Sequence, residues 1–177
     1  HMTIFVPCDP AETEKAVMAA AAMDGPVYIR VARPVCEDIT GADTPFVPGR
    51  GNVMKEGTDV CLIDCGLMIP VALAEAEKLE AEGISAAVVN MHTIKPIDSE
   101  LILKMNETCK AIVTVEEHSV IGGLGSAVAE VLAGNAGARF GMVGIQDKFG
   151  KSGKPDELFA AYGLTAENVA ATAKGLL

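Results

Sequence analysis

The stretch Glu116-Glu117-His118-Ser119-Val120-Ile121-Gly122-Gly123-Leu124-Gly125-Ser126 brings two carboxylates, an imidazole and three glycines into eleven residues. A histidine beside carboxylates is the arrangement of a general base whose tautomer a neighbour holds. The stretch also falls between a predicted strand over 111–117 and a predicted helix over 124–134. In open α/β sheets ligands bind at such carboxyl ends of strands, where glycines let a ligand or another backbone approach a helix N-terminus. The spacing is G-G-x-G rather than G-x-G-x-x-G, and no acidic residue closes a following strand, which argues against a dinucleotide site. A tight strand-to-helix turn at a surface or subunit contact accounts for the same residues. Glu117, His118, Gly122 and Gly123 therefore stand as interface or site-adjacent candidates, and no Ser or Cys nucleophile has an assignable partner.

Other groups offer less. His92, in Met91-His92-Thr93-Ile94-Lys95-Pro96, follows another predicted strand, so two histidines at adjacent strand ends are a weak metal reading. Arg30 and Arg33 flank the end of a strand in Arg30-Val31-Ala32-Arg33-Pro34, and their odd spacing aims them at opposite faces. Guanidinium is the planar partner of carboxylates and phosphates, so Arg33 is a candidate anion contact, with a plain salt bridge as the competing reading. Lys148-Phe149-Gly150-Lys151-Ser152-Gly153-Lys154-Pro155 lacks the Walker A spacing and reads as a basic loop before a helix started by proline. Cys61 and Cys65 share one face of a strand without the further ligands zinc needs, and read as buried small hydrophobes.

These residues need strands and helices to hold them. Residues 3–8 read as a strand, Asp9-Pro10-Ala11-Glu12 as a helix start with Asp9 as cap, and 27–32 as a second strand. Two strands and a helix cannot cover both faces of a sheet, so this unit reads as the tail of a larger domain. From 34 to 50 prolines and glycines accumulate without periodicity, a linker composition. Beyond it lie strands near 52–55, 59–65, 85–91, 111–117 and 139–145, and helices near 68–82, 98–108, 124–134, 155–162 and 166–176. That alternation predicts an α/β fold, a three-layer α/β/α domain with a mostly parallel sheet. The strand near residue 53 meets a tight turn and is expected to pair antiparallel at an edge.

Composition narrows the function classes. The 177 residues carry a net charge of −10, and fourteen basic residues are scattered without forming a run, which argues against nucleic-acid or anionic-membrane partners. No apolar stretch approaches the ~20 residues of a membrane span, and no leader is visible. Five cysteines without a disulfide pattern fit a reducing cytosol, the expected compartment. His1 reads as a residue left by cloning, so the natural chain is expected to begin upstream.

Taken together, Thr13-Glu14-Lys15-Ala16-Val17, Tyr28-Ile29-Arg30-Val31-Ala32-Arg33-Pro34, Thr93-Ile94-Lys95-Pro96-Ile97-Asp98, Val115-Glu116-Glu117-His118, Gly122-Gly123-Leu124-Gly125 and Ser152-Gly153-Lys154-Pro155-Asp156-Glu157-Leu158 resemble the C-terminal portion of a transketolase. The resemblance covers residues 3–177 and divides them. Residues 1–33 resemble the end of the pyrimidine-binding domain, 34–50 a linker, and 51–177 the transketolase C-terminal domain.

What the resemblance implies is transfer of a two-carbon ketol unit between sugar phosphates, dependent on thiamine diphosphate and Mg²⁺. It places the diphosphate and metal site in an N-terminal domain, and the glutamate that activates the aminopyrimidine early in the middle domain. Neither lies in this sequence, so no cofactor or metal ligand is assigned here and the chain alone is expected to be inactive. Arg33 alone carries over, matching the family arginine that holds the sugar phosphate, while His118 maps to no catalytic role. Implied partners are the N-terminal transketolase domains or subunit, a second copy in a homodimer, and sugar phosphates. Deoxyxylulose-phosphate synthases and 2-oxo-acid dehydrogenase β subunits share this domain plan and remain alternatives, as does a noncatalytic assembly or anion-binding module.

Overall fold

Successive side chains of Val60-Cys61-Leu62-Ile63-Asp64 point to opposite faces of a strand, and all five are buried. Such a strand needs cover on both sides. The computed structural model, which describes residues 1–36 and 38–177, supplies that cover. In chain order the elements are β1 (Thr3–Phe5), α1 (Pro10–Ala21), β2 (Val27–Ile29), β3 (Asn52–Lys55), β4 (Val60–Asp64), α2 (Met68–Ala81), β5 (Ala86–Asn90), β6 (Thr93–Lys95), α3 (Ser99–Thr108), β7 (Ala111–Ser119), α4 (Leu124–Leu132), β8 (Arg139–Ile145), α5 (Pro155–Tyr162) and α6 (Ala166–Leu176). Residue 37, within the expected linker, lies outside the described residues.

Five strands form one sheet in the order β3-β5-β4-β7-β8. The β4–β5, β4–β7 and β7–β8 pairs are parallel, and β3 runs antiparallel to β5 at the edge, as the tight turn after it requires. Two apolar layers sandwich the sheet. On one side Leu62, Val88 and Val113 pack beneath Met68, Ala72 and Leu79 of α2 and Val169 and Ala173 of α6. On the other, Cys61, Ile63, Val89 and Ile112 meet Ile102 and Met105 of α3 and Leu124 and Val128 of α4. The fold is therefore three layers, α/β/α. Each fully buried aliphatic side chain in these layers contributes about 1.5–3 kcal/mol.

The predicted cap at Asp9 forms, and Asp98 and Thr165 cap two further helices. Asp9 accepts from Glu12 N at 2.7 Å, Asp98 from Leu101 N at 3.1 Å and Thr165 from Asn168 N at 3.4 Å. Each satisfies a backbone donor that the helix leaves free. The strands at the start of the chain are shorter than their sequence pattern suggests, β1 ending at Phe5 and β2 at Ile29.

One element has no counterpart in the sequence reading. Thr93–Lys95 forms β6, which pairs antiparallel with β1, while β1 pairs parallel with β2, giving a second sheet of order β2-β1-β6. Three residues next to a proline carry too little pattern to mark a strand. The pairing joins the opening strand–helix–strand unit to the larger sheet, and Phe46 reinforces it by packing edge-on against Phe5 and stacking on His92, with centroids 5.2 and 4.2 Å away.

Candidate functional site

The connection after β4 runs through α2 to β5 on one side of the sheet, whereas that after β7 runs through α4 to β8 on the other. A crevice therefore opens at the carboxyl ends of β4 and β7, the place where open α/β sheets bind ligands. Its walls come from Cys65-Gly66-Leu67 and from Glu116-Glu117-His118. The opening unit of the chain enters it. Arg30 donates from Nη1 to the carbonyl of Glu117 at 3.2 Å and from Nη2 toward Cys65 Sγ at 3.7 Å. The guanidinium thus lies between two concavities. One, of about 170 Å³, is lined by Tyr28, Glu116, His118, Gly122 and Gly123 among others. The second, of about 220 Å³, is lined by Arg33, Pro34, Leu67 and Glu117 among others.

The glycines and the first carboxylate form one local device. Glu116 is buried and accepts from Leu124 N at 2.7 Å and Gly125 N at 2.8 Å, placing a carboxylate on the N-terminus of α4. A Cβ at Gly123 would stand 2.1 Å from Glu116 Oε2, and one at Gly125 would stand 2.6 Å from Met142 Sδ. Gly122 has φ +73°, in the left-handed region that favours glycine. The G-G-x-G spacing thus serves a tight strand-to-helix turn whose anion is the protein's own side chain.

His118 is half exposed, and its Nδ1 lies 2.8 Å from Ser119 O and 3.8 Å from Glu116 Oε2. A carbonyl only accepts, so Nδ1 carries a hydrogen. The contact that holds the tautomer is therefore a backbone carbonyl and not a carboxylate. Glu117 lines the Arg33 concavity, where burial against the wall lifts its carboxyl above the ordinary value and the positive charge of Arg30 opposes the rise. Arg33 is exposed, and among the described residues it forms no ion pair within 4 Å. Because β2 ends at Ile29, strand alternation does not govern residues 30–33, and both arginines face the same concavity instead of opposite faces.

The reading of His92 and His118 as a shared metal site fails on topology, since β4 separates the ends of β5 and β7. His92 is fully buried, its Nδ1 lies 3.0 Å from Thr93 Oγ1, and burial pushes its pKa down to about 4. Among the described residues no three His, Cys, Asp or Glu side chains converge to hold a metal ion. Cys61 and Cys65 are buried on the α3–α4 side of the sheet as small apolar groups. No described helix is long and apolar enough to cross a membrane.

Sequence reasoning missed a polar joint between the opening unit and the larger sheet. Besides capping α1, Asp9 accepts from Ile39 N at 2.7 Å, Thr40 N at 2.5 Å and Thr40 Oγ1 at 2.9 Å. Burial works to raise its carboxyl, but these donors and Glu12 N hold it below the ordinary value. Glu12 is buried as well, accepting from Cys8 N and from Asn90 Nδ2, both at 2.8 Å, and burial lifts its carboxyl despite those bonds. The Asp9 cap was visible in the sequence; nothing there signals Asn90 as a partner of Glu12.

The comparisons with known proteins agree with this architecture. Residues 49–169 match the family described as the transketolase C-terminal domain. The chain belongs to that family. A solved split-gene transketolase, described as an inactive β4 tetramer, superposes on 99% of this chain at a TM-score of 0.95 and 49% identity, the match spanning 58% of that chain. A 6-deoxy-6-sulfo-D-fructose transketolase subunit of Clostridium sp. (strain MSTE9) is 42% identical over 168 residues, 95% of this chain and 52% of its own length. A 1-deoxy-D-xylulose-5-phosphate synthase of Symbiobacterium thermophilum is 39% identical over 180 residues, covering all of this chain and 28% of the synthase. The chain thus spans about half the length of the subunit-sized relatives.

Proposed function

We propose that this chain is the C-terminal part of the second subunit of a split transketolase, which transfers a two-carbon ketol unit between sugar phosphates once joined to the domains that carry thiamine diphosphate and Mg²⁺. Residues 1–33 are then the end of a pyrimidine-binding domain, 34–50 the connection, and 51–177 the C-terminal domain. The observation that carries this reading is the superposition of 99% of the chain on a split-gene transketolase chain of which it spans 58%. The side chains here do not suit the cofactor's diphosphate and metal. Among the described residues no metal cluster exists, and the buried carboxylate at the crevice, Glu116, is committed to α4. The companion domains or subunit therefore supply that site, and no step through it is assigned to this chain.

Arg33 is the residue we assign to substrate, its exposed planar guanidinium suited to bidentate contact with a sugar phosphate. Tyr28, Val31, Val35 and Ile121 are exposed apolar residues, and on them we place contacts with the companion chain or a second copy in a dimer. The assembled enzyme is placed in the cytosol.

The test is ketol transfer from xylulose 5-phosphate to ribose 5-phosphate with thiamine diphosphate and Mg²⁺. The expected result is turnover only when the companion half is present; turnover by this chain alone would overturn the reading. In the assembled enzyme, Arg33→Ala should raise KM for the sugar phosphate at least about tenfold, the scale of a charge-assisted contact of ~1.5–3 kcal/mol. Likeness to the synthase favours one alternative, ketol synthesis from pyruvate, and pyruvate use by the assembled enzyme would select it.

A further inference from the structure

Both carboxyl oxygens of Asp64 and the amide oxygen of Asn90 are buried and accept no hydrogen bond. The two residues are fully buried and are register partners across the parallel β4–β5 pair. Val60 and Leu62 of β4, with Ala86 and Val88 of β5, lie in the α2-side layer. Alternation therefore directs Asp64 and Asn90 to that same side, from strands ~4.8 Å apart. Asn90 cannot be turned round to present a donor, because its Nδ2 already donates to Glu12 Oε1 at 2.8 Å and lies 3.5 Å from Cys8 Sγ. Three buried acceptors thus lie on one side of adjacent strands without a donor, and an ionised carboxylate there would lack the cation needed to offset its desolvation.

We propose that Asp64 is held as the neutral acid and donates its O–H to Asn90 Oδ1. A continuous chain of hydrogen bonds then runs from the centre of the five-stranded sheet through Asn90 to Glu12 in the first turn of α1. The surrounding titratable and charged groups do not compensate a negative charge. Cys61 of β4 and Cys65 just after it flank Asp64, Glu116 lies in β7, Cys8, Asp9 and Glu12 come from the start of α1 and the residues before it, and Glu75 of α2 pairs with Lys78. Arg30 is engaged with Cys65 and the Glu117 carbonyl. Burial alone sets the direction, lifting the Asp64 carboxyl well above the ordinary range. The bound proton thereby orients the Asn90 amide that joins the opening unit to the sheet, and its loss loosens the joint.

The test uses the full chain. An infrared difference spectrum between wild type and Asp64→Asn at neutral pH is expected to show the carbonyl band of a protonated carboxylic acid in the wild type alone. Asp64→Asn, whose amide can donate as the acid does, should keep the slow exchange of the Cys8 amide hydrogen that Glu12 holds, and Asp64→Ala should speed that exchange about tenfold, the factor for losing one hydrogen bond of ~1.4 kcal/mol. Absence of the acid band would overturn the proposal. So would a wild-type melting temperature that rises in K⁺ or Na⁺ over choline while that of Asp64→Asn does not, since the acceptors would then hold a metal cation.

Discussion

Acidifying the protein should unlatch His92 at a cost that the structure allows to be worked out. The ring is fully buried, stacked on Phe46 at a centroid distance of 4.2 Å, and its Nε2 has no partner. Burial lowers its pKa from 6.5 to about 4. A depressed pKa means that below 6.5 the unfolded chain takes up a proton that the folded one refuses. Stability is therefore lost as pH falls from about 6.5 to about 4 and levels off below. The full loss is about 3 kcal/mol at 1.36 kcal/mol per unit, and about 2 kcal/mol of it is gone by pH 5. For a chain of this size that lowers Tm by about 4–8 °C. The assay is thermal unfolding by circular dichroism at pH 7 and pH 5, for wild type and His92→Phe, which keeps a ring against Phe46 but cannot protonate. Carboxylates titrate in both proteins, so the difference between the two pH dependences isolates the imidazole. Parallel Tm–pH curves would refute the reasoning, as would an NMR titration of His92 with a midpoint near 6.5.

Gly123→Ala sets a methyl group against Glu116 and Ser119 O and should destabilise by about 1–3 kcal/mol, measured by urea unfolding. Asp9→Ala removes the α1 cap together with three donors' acceptor from Ile39 and Thr40, and should cost about 1–3 kcal/mol and speed exchange of the Thr40 amide hydrogen. The Asp9 contribution is present above the ordinary carboxylate range and is lost as pH falls through its lowered folded value, so Asp9→Ala should show a flatter stability profile at the acid end.

The larger sheet was legible because its signals are long and repeated. The five buried residues of β4, the periodic apolar face of α2 and the caps at Asp9, Asp98 and Thr165 each specify one element with little competition. The antiparallel edge followed from the tight turn at Glu56-Gly57, where a Cβ on Gly57 would stand 2.3 Å from the Ala86 backbone. What stayed hidden depends on contacts between residues far apart in the chain. Three residues of β6 gain their strand geometry from β1, some 90 positions earlier. Glu116 reads as one of two carboxylates that could hold the His118 tautomer until α4 folds back onto it. His92 sits at a predicted strand end with nothing in the sequence to mark its burial, until Phe46, from a segment with a linker's composition, covers it.

The strand pairing between β1 and β6 also bears on how chains of this family can be recombined. The family match begins at residue 49, yet β6 lies inside it and completes its hydrogen bonding with a strand that precedes it. A chimera joined at residue 49 would unite β6 and His92 with a foreign β1 and a foreign counterpart of Phe46, so the junction would have to preserve those contacts across a seam. A crossover ahead of Thr3 transfers the strand, its partner and the covering aromatic together, and the piece must run on through α6 to residue 176 to keep Val169 and Ala173 packed on the sheet.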